Sequence, residues 1–167
     1  METAKSSAEQ RVVLHNVRWE THERLLAEQA DSSAPRFTYH RGELEIMSPS
    51  PEHERVNRRL AQLVLALTEE MGVEAKDLGS TTFRREDLER GFEPDSCFYI
   101  ENEGLIYGKD RPDLSVDPPP DLVIEIDITS PSISKLPIYA QMGVPEAGAT
   151  TESVLRCGSW KARGTPK

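Results

Sequence analysis

Leu122-Val123-Ile124-Glu125-Ile126-Asp127-Ile128 is the stretch on which the fold turns. It is a short apolar run rich in β-branched side chains, approached through Pro118-Pro119-Pro120 and left through Ser130-Pro131-Ser132, and so it reads as a strand. Alternation places Leu122, Ile124, Ile126 and Ile128 on one face and Val123, Glu125 and Asp127 on the other. Glu125 and Asp127 then project together. One reading of that pair is the solvated acidic face of a sheet. The other is a carboxylate set for Mg²⁺, a hard ion held by one or two carboxylates with waters and phosphate oxygens. Spacing alone leaves both open.

Downstream, ISKLPIYAQMGV (133–144) reads as a helix with Pro137 in its first turn, where the missing N–H costs nothing. Upstream, VEAKDLGSTTFRR (73–85) and EPDSCFYIENE (93–103) read as two further strands separated by a charged loop, with Asp95 following Pro94 at the start of the second. From Glu52, the apolar positions Val56, Leu60, Leu63, Val64 and Leu67 recur at steps of three and four, which predicts a long amphipathic helix capped by Ser50 and stopped at Met71-Gly72. RFTYHRGELEIMSP (36–49) alternates on either side of Arg41-Gly42 and predicts a hairpin. A first helix starts near Trp19, and residues 1–10 read as a disordered lead-in. The order of helix, hairpin, long helix, three strands and helix is that of an α/β or α+β sandwich.

Length and composition bound the rest. A chain of 167 residues suits one domain. Hydrophobic residues at 37% and charged residues at 29% describe a chain that folds. No apolar run reaches the length of a membrane span, and METAKSSAEQ lacks the order of a signal peptide, so a cytoplasmic protein without a membrane partner is expected. Cys97 and Cys157 read as free thiols. The net charge of -9 argues against a general nucleic-acid coat, since nonspecific binding needs basic residues that displace counterions; it leaves room for a carboxylate-rich active site. Arg84, Arg85 and Arg90 with Arg55, Arg58 and Arg59 read as solvated faces, with a phosphate path as the functional alternative.

GELEIMSPSPEHERVNRRLAQLV (42–64), LGSTTFRREDLERGFEPDSCFYI (78–100) and DPPPDLVIEIDITSPSISKLPIYAQMGVPE (117–146) together resemble the Uma2 family, also called DUF820, over residues 11–146. The resemblance implies the PD-(D/E)XK nuclease superfamily, with a restriction-endonuclease-like mixed central sheet flanked by helices. It implies Mg²⁺ (or Mn²⁺) as cofactor, DNA as substrate and phosphodiester hydrolysis as the reaction; a homodimer is a further expectation. Carried over by position, the PD acid falls on Asp95 and the second acid on Glu125. The pattern departs at the third element, because Asp127 stands where a Lys would, and the nearest downstream Lys is Lys135, from which a relocated lysine reaches back. Glu43, with Glu45 and Glu54 as rivals, and His53 are accessory positions in the same likeness. The rival class is a non-catalytic nucleic-acid- or protein-binding module that kept the nuclease fold.

The likeness ends at Glu146. AGATTESVLRCGSWKARGTPK (147–167) shows no strand pattern, whereas relatives continue into an aromatic strand. Joining each codon's third base to the next two turns Ala147–Ser153 into Trp-Arg-Tyr-Asp-Gly-Glu with permitted codons. The sequence therefore predicts a frameshifted tail, loss of the last core strand, and inactivation of this copy through an unpaired sheet edge.

Overall fold

A computed structural model describes residues 9–29, 32–126, 134–151 and 154–159, with the backbone alone from 151 onward. Ten strands and three helices follow in the order β1 (Gln10–Leu14), α1 (Trp19–Gln29), β2 (Arg36–His40), β3 (Glu43–Ser48), α2 (Pro51–Glu70), β4 (Lys76–Asp77), β5 (Phe83–Arg85), β6 (Arg90–Phe92), β7 (Ser96–Tyr99), β8 (Leu122–Ile126), α3 (Leu136–Gln141), β9 (Glu146–Thr151) and β10 (Val154–Ser159). They form two five-stranded sheets, β1-β3-β2-β6-β5 and β10-β9-β8-β7-β4. In the second sheet β8 pairs antiparallel with β7 and parallel with β9, so the sheet is mixed.

The alternation of β8 decides how the layers stack. Ile124 and Ile126, with Phe98 of β7, pack under Val56, Leu60, Ala61 and Val64 of α2. Val123, with Cys97 and Tyr99, faces the other way and meets Ile138 and Tyr139 of α3 and Met142 just past its end. The mixed sheet is thus flanked by α2 on one face and α3 on the other, as expected. A third cluster joins Trp19, Leu25 and Leu26 of α1 to Phe37, Tyr39 and Leu44 of the hairpin.

Local chemistry explains the main boundaries. Arg41 and Gly42 both take positive φ, 45° and 90°, the geometry of a two-residue turn that matches the twist of its strands. At the start of α2 the Ser50 hydroxyl accepts a hydrogen bond from the His53 N–H at 3.1 Å, and Pro51 fills a position whose N–H has no helical partner. Asp121 clamps the entry of β8: its carboxylate accepts from the N–H groups of Ile100 at 2.7 Å and Asn102 at 3.0 Å, and its own N–H donates to the Phe98 carbonyl at 2.9 Å. That clamp fixes the β7–β8 register, Ser96 opposite Ile124 and Phe98 opposite Leu122.

Three expectations need correction. The lead-in does not run through residue 10, because Gln10 opens β1, an edge strand whose whole length pairs with β3. The single strand expected over 73–85 is two, β4 and β5, in different sheets, and the charged loop after it holds β6, whose Arg90-Gly91-Phe92 is too short to show a period. The last core strand is present: Glu146–Thr151 runs parallel to β8, and β10 pairs with β9 in turn. Backbone hydrogen bonds to a neighbouring strand do not depend on side-chain type, and the small Ala147 fits a buried position at 3% exposure.

Candidate active site

Extending the β7–β8 register by one residue sets Asp95 opposite Glu125, and the shared parity directs both to one face. Asp95 is 1% exposed. One carboxylate oxygen accepts from the Arg36 guanidinium, which also donates to Glu54 at 2.5 Å. The other accepts from the backbone N–H of Ile126 at 2.6 Å and lies 3.2 Å from Nε2 of His53. Asn57 of α2 donates to the Asp95 carbonyl at 2.9 Å and accepts from the Ser96 hydroxyl, also at 2.9 Å, so the residue is held through both backbone and side chain.

Glu125 is held from α3. Lys135 donates from Nζ to Oε2 at 2.8 Å, and the Tyr139 hydroxyl donates to Oε1. Four residues separate Lys135 from Tyr139, so one face at the start of α3 supplies both donors. Glu45 of β3, 1% exposed, accepts from Arg11 of β1 at 3.1 Å and contributes to the same field.

The electrostatics follow from this packing. Burial opposes the charge on Asp95, but His53, Lys135 and Arg36 outweigh it and hold the carboxyl below its ordinary range. Glu125 goes the other way: burial, with the Asp95 charge beside it, outweighs Lys135 and Tyr139 and pushes it up. Of the two carboxylates, Glu125 is therefore the one that keeps a proton longer. Burial opposes the charge on Lys135, but Glu125 and Asp95 hold the ammonium above its ordinary value. His53 is fully buried, which disfavours its charge, yet Asp95 and Glu54 raise it to about 9.

The positions singled out from sequence divide clearly. Asp95, Glu125, Lys135 and His53 come together. Glu43 does not: its half-exposed carboxylate lies at the hairpin surface, 3.3 Å from His15, while its rivals Glu45 and Glu54 reach the cluster. Asp127 lies outside the described residues. Arg84 and Arg85 are paired with Glu23 and Asp87, Arg55 with Glu52, and Arg90 is buried and donates to the Leu88 carbonyl at 2.9 Å. Arg36 and Tyr139 were missed, and only the four-residue step from Lys135 marks Tyr139 in the sequence. A cleft of about 940 Å³ between α1, the 78–84 segment and the 110–114 loop has Glu93 in its wall but neither Asp95 nor Glu125. Both Glu93 oxygens are engaged, by Thr82 at 2.5 Å and the Phe37 N–H at 2.8 Å, and among the described residues no second carboxylate stands opposite it as Glu125 stands opposite Asp95 across the β7–β8 register.

Two buried carboxylates on adjacent strands fit a hard divalent cation in the kind of donor they offer. Among the described residues no group of three or more His, Cys, Asp or Glu is arranged to hold a metal ion. The donors on hand are thus the pair itself, with the remaining positions left to water and substrate oxygens.

A mixed sheet between two helices agrees with a nuclease-like fold. The chain is similar to a crystal structure from Anabaena variabilis ATCC 29413 described as "a putative nuclease belonging to DUF820", with a TM-score of 0.53 and 12% sequence identity over 90% of this chain and 89% of that one. The sequence profile of the Uma2 family, described as "Putative restriction endonuclease", matches residues 19–149, and the chain belongs to that family. No curated protein matches it. No helix among the described residues is long and apolar enough to cross a membrane.

Proposed function

We propose that this chain is a divalent-metal-dependent phosphodiesterase acting on DNA, in which Asp95 and Glu125 hold Mg²⁺ or Mn²⁺ and Lys135 stands beside the scissile phosphate. The observation that carries the proposal is the buried cross-strand acid pair with Lys135 Nζ 2.8 Å from Glu125. When bound, the cation supplies shielding of phosphate charge and acidification of water. The protein's own residues do the positioning. Arg36, the Ile126 N–H and His53 hold Asp95 in one rotamer. Tyr139 and Lys135 take one oxygen of Glu125 each. Lys135 keeps its proton, so it offers positive charge to a developing oxyanion and is unsuited to act as a base. The tail from Ala147 belongs to the same proposal as a frame-altered sequence that weakens this copy, and a cytoplasmic location is expected.

The test is nicking of supercoiled and single-stranded DNA with Mg²⁺ or Mn²⁺, comparing this chain and its frame-restored version, each with Glu125→Gln. Faster cleavage by the restored chain, abolished by the substitution, supports the proposal. One observation favours the second reading, a binding module: every oxygen of Asp95 and Glu125 already accepts from a protein donor. Titration calorimetry with Mn²⁺ separates the two, because an enzyme of this kind binds the ion in a manner lost in Asp95→Asn and Glu125→Gln. No binding and no cleavage by either version would leave the module.

A further inference from the structure

Helix α2 carries more apolar surface than its own sheet covers. Its inner face, marked by the buried His53 and Asn57, lies over β7 and β8. Beside that face runs a second stripe, Val56, Leu60, Leu63 and Leu67, spaced four, three and four residues apart and extended by Met71 just past the helix end. This is the step of a seam between two packed helices. Val56 and Leu60 are partly buried, but Leu63 is 50%, Leu67 53% and Met71 73% exposed, a contiguous strip on a helix about 30 Å long.

The charges flanking the strip point to its occupant. The N-terminal half of α2 carries Arg55, Arg58 and Arg59, all exposed, and the C-terminal end carries Glu69 and Glu70, followed by Glu74, also exposed. At 100° per residue, Arg59 and Glu70 fall within about 20° of one another on the same edge of the strip. A second copy of α2, laid antiparallel about a two-fold axis near Leu63, sets Leu60 against Leu67 and places Arg59 of each copy beside Glu70 of the other. A two-fold contact repeats every such pair, so each favourable juxtaposition counts twice. A parallel arrangement would set arginine against arginine and glutamate against glutamate.

We infer that the α2 strip is a self-association surface, and that two copies of this chain pair through antiparallel α2 helices. The surface lies on the face of the sheet opposite α3, so dimerisation stands independently of whether Asp95 and Glu125 support catalysis. Sedimentation and light scattering of the full chain across a concentration series provide the test. The chain should run as a dimer, and Leu63→Glu with Leu67→Glu should run as a monomer with an unchanged circular dichroism spectrum, because both side chains are already in water. Arg59→Glu alone should raise the dimer dissociation constant roughly tenfold, the scale of a few exposed pairs reversed together, and Arg59→Glu with Glu70→Arg should restore it. A monomer at every concentration, a dimer indifferent to these substitutions, or a double reversal without rescue would each overturn the inference.

Discussion

Replacing Tyr139 by Phe removes one atom from the centre of the site and little else. The ring packs edge-on against Phe92, with centroids 4.7 Å apart, and phenylalanine keeps that contact. What is lost is the hydroxyl that donates to Oε1 of Glu125, whose side chain is only 13% exposed. A hydrogen bond to a charged group contributes about 2 kcal/mol, against roughly 1 kcal/mol between neutral partners. For a domain of this size, about 2 kcal/mol corresponds to a fall in Tm of about 4–8 °C. The pH dependence distinguishes this account from simple loss of packing. Glu125 is already pushed up by burial and by Asp95, and loss of a donor to its charged form pushes it further. The gap between Tyr139→Phe and the parent is therefore widest at pH values where Glu125 is ionised, and it narrows as the pH falls and the carboxyl takes up its proton. Urea unfolding of both proteins from neutral to acid pH measures it. A gap that stays constant or widens on acidification would refute the role given to the hydroxyl.

Other consequences are more local. His22 is 1% exposed, and burial, with Arg84 nearby, lowers it to about 4; the unfolded chain binds this proton below about 6.5 and the folded chain only below about 4, so stability falls through that window as the pH drops, by about 3 kcal/mol, and His22→Gln should flatten that part of the urea-unfolding profile. Gly91→Ala would bring a Cβ to 2.7 Å from the His22 ring, which already stacks on Tyr39 and tilts against Trp19; about 1–3 kcal/mol of destabilisation is expected in thermal or urea unfolding. Asp95→Ala would take from buried Arg36 and His53 the carboxylate they share, leaving Glu54 beside both, and should cost about 3 kcal/mol, so its unfolding curve must be measured before any loss of metal binding is assigned to a missing ligand.

The legible parts of the fold were those whose signal is local. The Ser50 cap, the Arg41-Gly42 turn and the alternation of β8 are each written in a few adjacent residues, and each stands where its chemistry requires. β1 and β9 were illegible for a shared reason: each acquires its conformation from pairing with a partner far along the chain, and neither Gln10–Leu14 nor the alanine-rich start of β9 carries an alternating pattern that announces it. The site divides in the same way. Asp95 and Glu125 stood out as acids in strand-like contexts, but Arg36 arrives from 59 residues away, and nothing in Pro35-Arg36-Phe37 marks it as the buried partner of a carboxylate. Glu43 and Glu45 share one face of β3 and differ in depth: Glu45 lies inside the strand with its carboxylate buried, whereas Glu43 begins it at the turn.

The position of Lys135 over Glu125 follows from the topology. β8 and β9 are parallel neighbours, so the chain must cross over between them, and α3 is the helix of that crossover. α3 packs on the face to which Val123 and Glu125 point, so a lysine at its start reaches Glu125 Oε2 from above the sheet. An ammonium on a flexible four-carbon stem needs only to deliver its charge, and it can do so from a neighbouring element. The arrangement makes the site depend on how α3 is docked. Ile138, Tyr139, Met142, Val144 and Ala147 are all buried in one cluster, and Ala147 already belongs to β9. β9, whose first residues fall within the stretch that the family profile matches, is thus part of the support for both donors to Glu125. Substitutions in β9 would therefore reach Glu125 by two routes, the ladder that sets Ala149 opposite it and the packing that seats α3.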